Sequence, residues 1–266
     1  MELVDHKKPV IEDKEFSSDV NEVDLAQRVL RHVFAVNKQF TDVTFKQSEI
    51  SECYFRNCMF KRCDFTGTTI RRSNFRGSRY EDCKFIYSTW EHTHLDEEFL
   101  DNCLPSEDNL GRDLVRSLRV NFGQIGNYAA VNKAASMEVR LTGRHLFDAA
   151  YSNKSYYRSN YKGWVRALQA AKHAQWKALD LFWGNGESIF RILCTGALIV
   201  IAGTVFLSWS NREFPWPKSF FAVAHSFWGI AHVPPIPSGQ MICLTIARLL
   251  LFGLFMAVLV KRLARR

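Results

Sequence analysis

From Phe40 to Leu95 a large apolar residue returns at every fifth position: Phe40, Phe45, Ile50, Phe55, Phe60, Phe65, Ile70, Phe75, Tyr80, Phe85, Trp90 and Leu95. Neither a helix, with a period of about 3.6, nor a strand, with a period of about 2, produces that beat. A second register runs two residues upstream and is small or slim: Val43, Ser48, Cys53, Cys58, Cys63, Thr68, Ser73, Ser78, Cys83, Ser88 and Thr93. Two registers held together this long are an internal repeat. The pattern closes when each pentad forms one side of a square coil. Four pentads then return the chain above itself, and its backbone pairs with the next turn at about 4.8 Å. Phe45, Phe55, Phe65, Phe75 and Phe85 then point into the core of the coil. The columns that follow are Phe45 under Phe65 under Phe85, Phe40 under Phe60 under Tyr80, Ile50 under Ile70 under Trp90, and Phe55 under Phe75 under Leu95.

These pentads resemble the pentapeptide-repeat family over about residues 38–95. The resemblance implies a short right-handed quadrilateral β-helix whose ends need covering. Residues 21–36, "NEVDLAQRVLRHVFAV", read as an amphipathic helix with Val23, Leu25, Val29, Leu30, Val33 and Phe34 on one face. That segment and "LDEEFLDNCL" (95–104) are the candidate caps. The expected organisation is an N-terminal segment and capping helix over 1–37, the β-helix over 38–95 and a helical linker over 96–163. In the linker Leu110, Leu114, Leu118 and Phe122, then Val131, Ala134, Ala135, Glu138 and Leu141, recur at helical spacing, with a break at Gly123 and Gly126.

The last third is apolar. Residues 164–188 are expected as an interfacial helix, with Trp164, Leu168, Ala171, Trp176, Leu179 and Trp183 near one face and Arg166, Lys172 and Lys177 on the remainder. Residues 189–266 are expected as a two-span membrane domain. "ILCTGALIVIAGTVFLSW" (192–209) carries no charge, and "MICLTIARLLLFGLFMAVLV" (241–260) carries only Arg248. Each is about 27 to 30 Å long as a helix, enough to cross a bilayer core. Half of the net charge of +8 lies in the tail, at Lys261, Arg262, Arg265 and Arg266. The connecting segment 210–240 has only Arg212 and Lys218 as bases, so both termini are expected on the cytoplasmic side of a plasma (inner) membrane. Residues 1–20 hold no apolar core of signal-peptide length, which fits reduced cysteines.

Between the spans, "SFFAVAHSFWGIAH" (219–232) is apolar, too short to cross, and bounded by "PWP" and "PPIP". A re-entrant segment over 219–237 fits, and it requires an oligomer around it. This order looks like the two-span potassium-channel pore domain, and like its fusion to pentapeptide repeats in bacterial proteins. "NYAAVNKAASMEVR" (127–140) and "WGNGES" (183–188), with Gly184, Gly186 and Glu187 leading into Arg191, resemble the linker of such fusions. The filter departs from that pattern. "GIAHVPPIP" has one glycine, Gly229, no tyrosine, and Pro234 and Pro235 after Val233, so potassium selectivity is not implied. The candidate ion pathway is His225, Ile230, Ala231, His232, Val233, Thr245, Arg248 and Phe252. Arg248 stands out, since a charge within a span needs a partner, a cavity or water. It either lines a pore and favours anions, or binds the carbonyl end of the re-entrant helix.

No serine elbow, phosphate loop or zinc-protease pattern occurs, and the chain is read as a non-enzyme without a cofactor. Cys53, Cys58 and Cys63 fit the small register, so no metal is expected there. Between residues 40 and 85 nine Lys or Arg face six Asp or Glu, unlike an acidic DNA mimic, and no nucleic-acid partner is expected. The reading is an oligomeric ion channel or pore, fourfold, in contact with lipid and ions, with the β-helix as a cytoplasmic assembly or sensor module open to a regulator. The alternatives are a non-conducting membrane-anchored scaffold recruiting a partner through the β-helix, and a stress or phage-defence effector that permeabilises the membrane.

Overall fold

The computed structural model describes residues 8–186, 188–211, 215–230 and 236–263. The chain divides into two compact units, Met1–Lys162 and Gly163–Arg266.

The first unit opens with a β-solenoid of about four turns. Its strands are β1 (Val10–Glu12), β2 (Val20–Asn21), β3 (Val29–Arg31), β4 (Phe34–Val36), β5 (Gln39–Thr41), β6 (Glu49–Ser51), β7 (Tyr54–Arg56), β8 (Met59–Lys61), β9 (Thr69–Arg71), β10 (Arg79–Glu81) and β11 (Thr89–Glu91). They form parallel ladders in the orders β1-β3-β6-β9-β11, β10-β8-β5-β2 and β4-β7. Every pairing in the middle turns joins residues twenty apart, such as Phe40 with Phe60 and Ile50 with Ile70. The expected columns form. Ring centroids are 4.7 Å apart for Phe45 and Phe65, 4.9 Å for Phe65 and Phe85, and 5.2 Å for Phe55 and Phe75. Phe40 stacks on Phe60 at 4.9 Å, and Phe60 on Tyr80 at 5.3 Å. Phe45, Phe55, Phe65, Phe75 and Phe85 are all buried.

The small register has a chemical use. Ser48 Oγ and Thr68 Oγ1 both donate to the Phe45 carbonyl at 2.7 Å, and the thiols of Cys53 and Cys63 reach the carbonyls of Leu30 and Phe40 at 3.4 Å. The chain turns through a left-handed residue at every fifth position from Glu22 to His92, and also at Asp13. Fourteen of these in the solenoid are not glycine, among them His32, Asn37, Asp42, Glu52 and Tyr87. Each such position costs roughly 1–2 kcal/mol in isolation, so it is the stacking of neighbouring turns that holds them.

The helix expected over 21–36 is not there; the segment is part of the solenoid, running through β2, β3 and β4. The five-residue register continues upstream through Val20, Leu25, Leu30 and Ala35, all buried, while Val23 and Phe34 of the supposed helical face are exposed. Pairing with the next turn decides it. Glu22 N donates to Thr41 O at 3.0 Å and Leu25 N to Thr44 O at 2.8 Å, which overrides a weak helical preference.

At the other end α1 (Phe99–Asn102) places Phe99 against Tyr80, Phe85 and Trp90, with centroids 5.1, 4.7 and 5.2 Å away. Helix α2 (Asp108–Gln124) then closes the last turn. Its side chains meet the open backbone edge: Trp90 N donates to Ser117 Oγ at 2.9 Å, Thr93 N to Asn121 Oδ1 at 2.7 Å and His92 N to Gln124 Oε1 at 2.9 Å. Helix α3 (Tyr128–Tyr151), capped by Asn127, packs along α2 through Val131, Ala134, Ala135 and Leu141. Glu138 on that face receives Arg116 and Arg119 at 2.7 and 3.0 Å. A short α4 (Ser155–Asn160) follows, holding Tyr157 against His145.

The second unit contains α5 (Gly163–Trp183), α6 (Ile189–Ser210), α7 (Trp216–Trp228) and α8 (Ser238–Leu263). Helices α6 and α8 are long and apolar enough to cross a membrane, and their most apolar windows are only 22% and 11% buried. The core helix of a water-soluble fold would be mostly buried.

Candidate functional site

The residues singled out for an ion pathway belong to the second unit of the chain. Helix α5 buries none of its residues; Trp164, Leu168, Leu179 and Phe182 are exposed. The chain turns into α6 through Gly184, Asn185 and Gly186, with φ of 64°, 51° and 84°. At Gly184 a Cβ would lie 2.7 Å from that of Ser188, so the turn tolerates no side chain there. Arg191 pairs with Asp180 across this elbow, Thr195 Oγ1 donates to Phe182 O at 2.9 Å, and Lys261 Nζ of α8 donates to Gly186 O at 3.3 Å. Of the "WGNGES" stretch, Glu187 lies outside the described residues.

Helix α7 has 13 residues, about 20 Å, too short to span. Its buried face is Ser219, Ala222, Val223, Ser226 and Phe227, packed with Val200, Leu207 and Leu244. Close approach depends on Gly203 of α6: a Cβ there would meet Val223 Cγ1 at 3.0 Å. Gln240 Nε2 of α8 donates to the Gly203 carbonyl at 2.8 Å, which ties the two long helices at that level. The hydroxyls of Ser208 and Ser226 are buried without a hydrogen-bond partner among the described residues.

The structure brings together only some of the expected pathway. His225 is exposed, beside Phe221 at 6.4 Å, and faces away from the helix packing. Its carbonyl closes α7 by accepting from Ile230 N at 2.9 Å, while Gly229 occupies the left-handed position with φ of 72°. Ile230 is exposed; Ala231, His232 and Val233 lie outside the described residues, as do Pro234 and Pro235. Thr245 Oγ1 is occupied by the Met241 carbonyl of its own helix at 2.9 Å. Arg248 is half-buried with its guanidinium against Gly229. Phe252, expected on the same face, is exposed; the packed side of α8 runs instead through Leu244, Leu251 and Val258.

Sequence reasoning missed the Gly203–Gln240 contact, for which no local signal exists. It counted Gly229 only as a filter glycine, although a glycine just past a short helix is itself the signal of a C-terminal cap.

On the solenoid, charges stack in ladders. His32 sits between Asp13 at 3.4 Å and Glu52 at 2.6 Å, and Arg72 reaches Glu52 at 2.8 Å. The Arg62 guanidinium beside Asp42 holds its carboxyl below the usual range. Glu12, Asp13 and His32 could each turn a ligand atom to one point, within 4.8 Å of one another, but Glu12 is paired with Arg31 and His32 with Glu52. Burial pushes the Cys53 thiol up to about 11, so it stays protonated, as its bonds to the Leu30 and Ser51 carbonyls require.

A family model described as pentapeptide repeats matches residues 39–77 with eight copies. Among solved structures the chain is similar to a trypsin-treated form of QnrB1, a plasmid-mediated fluoroquinolone resistance protein, at 16% identity and a TM-score of 0.16. That match covers 33% of this chain and 54% of the other, so this chain spans about half the length of that protein. No curated protein matches the sequence.

Proposed function

From pentapeptide repeats joined in one chain to two helices of spanning length, we propose a subunit of a homo-oligomeric membrane pore, fourfold, in the plasma (inner) membrane. The observation that carries this reading is α7: an apolar helix too short to cross, capped by Gly229, with one face packed on α6 and α8 and with Phe221, Trp228 and Ile230 exposed. A short helix of this kind in a bilayer needs further protein around it, which copies of the same unit supply. Ions pass the segment 219–237, and the solenoid on the cytoplasmic side serves assembly or sensing. The proline-interrupted stretch after Gly229 argues against potassium selectivity. The elbow, where Asp180, Arg191 and Lys261 join α5 to both spans, is the element through which movement of α5 reaches the pore.

The test is full-length protein in planar bilayers under ion substitution, with a deletion of residues 219–237 as the control. Conductance that the deletion abolishes supports the pore. A folded oligomer with no conductance under any condition refutes it and leaves the membrane-anchored scaffold. Conductance confined to a stress trigger points to the permeabilising effector.

A further inference from the structure

Arg248 is the one charged residue in the middle of a spanning helix, and the geometry around it is specific. Helix α7 ends with Gly229 N donating to His225 O and Ser226 O, and Ile230 N donating to His225 O at 2.9 Å. These bonds satisfy the carbonyls of His225 and Ser226 at the carbonyl end of the helix. Such an end carries about half a negative charge. The space beside Gly229 is filled by the arginine: a Cβ there would lie 2.0 Å from Nη1, 3.2 Å from Cζ and 3.7 Å from Nη2 of Arg248. Gly229 is thus required twice, by its φ of 72° and by the guanidinium against it.

We propose that Arg248 is a positioning residue, whose guanidinium closes the C-terminal end of α7 and fixes that helix against α8, and that it does not select the permeant ion. A pore-lining arginine keeps its head in water, where copies around the axis repel cations. This one is half-buried and directed at its own chain. The cost of a charge within a span is offset by the partial charge of the helix end, a match that needs no water and no second subunit. The proposal rests on the pore reading only where it speaks of ion selection.

The experiment is hydrogen exchange of full-length protein in phosphatidylethanolamine–phosphatidylglycerol nanodiscs, which requires no conductance. Arg248→Met should speed exchange in the last turn of α7 about tenfold, with Arg248→Lys restoring it to within about threefold of wild type. Unchanged exchange in Arg248→Met overturns the proposal, as does a lysine variant that exchanges as fast as the methionine one. If Arg248→Met does not assemble, Arg248→Gln, which removes the charge and keeps a polar head, reads the same contact. It should speed the same amides, and no change there overturns the proposal. In bilayers, the reversal potential in a KCl gradient should be the same for wild type and Arg248→Met, and a shift restored by lysine overturns the proposal. A wild type that does not conduct defeats the pore reading while the exchange result still decides the role of Arg248.

Discussion

Phe65 lies between Phe45 and Phe85, with ring centroids 4.7 and 4.9 Å away and 1% of its surface exposed. No rearrangement of its neighbours can fill the space it leaves, because each belongs to a turn fixed above and below. Phe65→Ala should therefore lower the stability of the first unit by about 3–5 kcal/mol in urea unfolding. Tyr87→Ala, at a position 69% exposed, should stay within about 0.5 kcal/mol. Positions such as Phe65 are legible in a sequence because a period repeats its own proof at every turn. Arg248 and Gly203 are not legible in the same way. A helix shows which residues share a face, but the face that packs inward is set by neighbours: α8 buries Leu244 and Val258 and exposes Phe252, a choice made by α6 and α7.

Segment 21–36 shows how one set of apolar residues can carry two periods. Leu25 and Leu30 belong to a helical stripe and to the five-residue register at once, and only the register has a partner turn to pair with. The closure by α2 was hidden for the opposite reason. Ser117, Asn121 and Gln124 look like a solvated polar face, yet Asn121 is fully buried, accepting from Thr93 N at 2.7 Å and donating to Thr93 O at 2.8 Å. Asn121→Ala leaves both backbone groups buried and unpaired, so it should cost about 2 kcal/mol in urea unfolding and open β11 first in hydrogen exchange.

Helix α4 is held more lightly. Tyr157, its one buried residue, has its hydroxyl 3.4 Å from His145 Nδ1 and its ring 6.1 Å from Tyr161, and the nearby Lys154–Asp148 pair adds a second tie. Burial lowers the His145 pKa, helped by the charge of Arg112, while Asp108, Asp148 and Asp113 act the other way. The docked helix therefore favours neutral imidazole, and the undocked form binds more protons. Docking is fully stabilised above about pH 6.5 and weakens as the pH falls from there toward the depressed folded value. Protection factors across α4 should drop over that interval, and His145→Gln should remove the drop.

For the molecule as a whole, the solenoid is closed at one end by α2, and among the described residues β1 and β2 are the edge strands of their ladders at the other. From β3 onward nothing in a turn refers to its place in the series, and the strands pair at a spacing of twenty residues, whereas β1 pairs with β3 at a spacing of nineteen. Deleting residues 49–68 sets Leu30 on Ile70, Ala35 on Phe75, Phe40 on Tyr80 and Phe45 on Phe85, so the shortened protein should still unfold cooperatively, at a lower temperature. Deleting only residues 61–63 breaks every column beyond the cut and should abolish cooperative unfolding, as followed by circular dichroism. Length in this part of the molecule is therefore graduated like a ruler, at about 4.8 Å per mark. A sequence built this way can lengthen or shorten its reach by whole marks and keep its core chemistry, but it cannot move by a fraction of one.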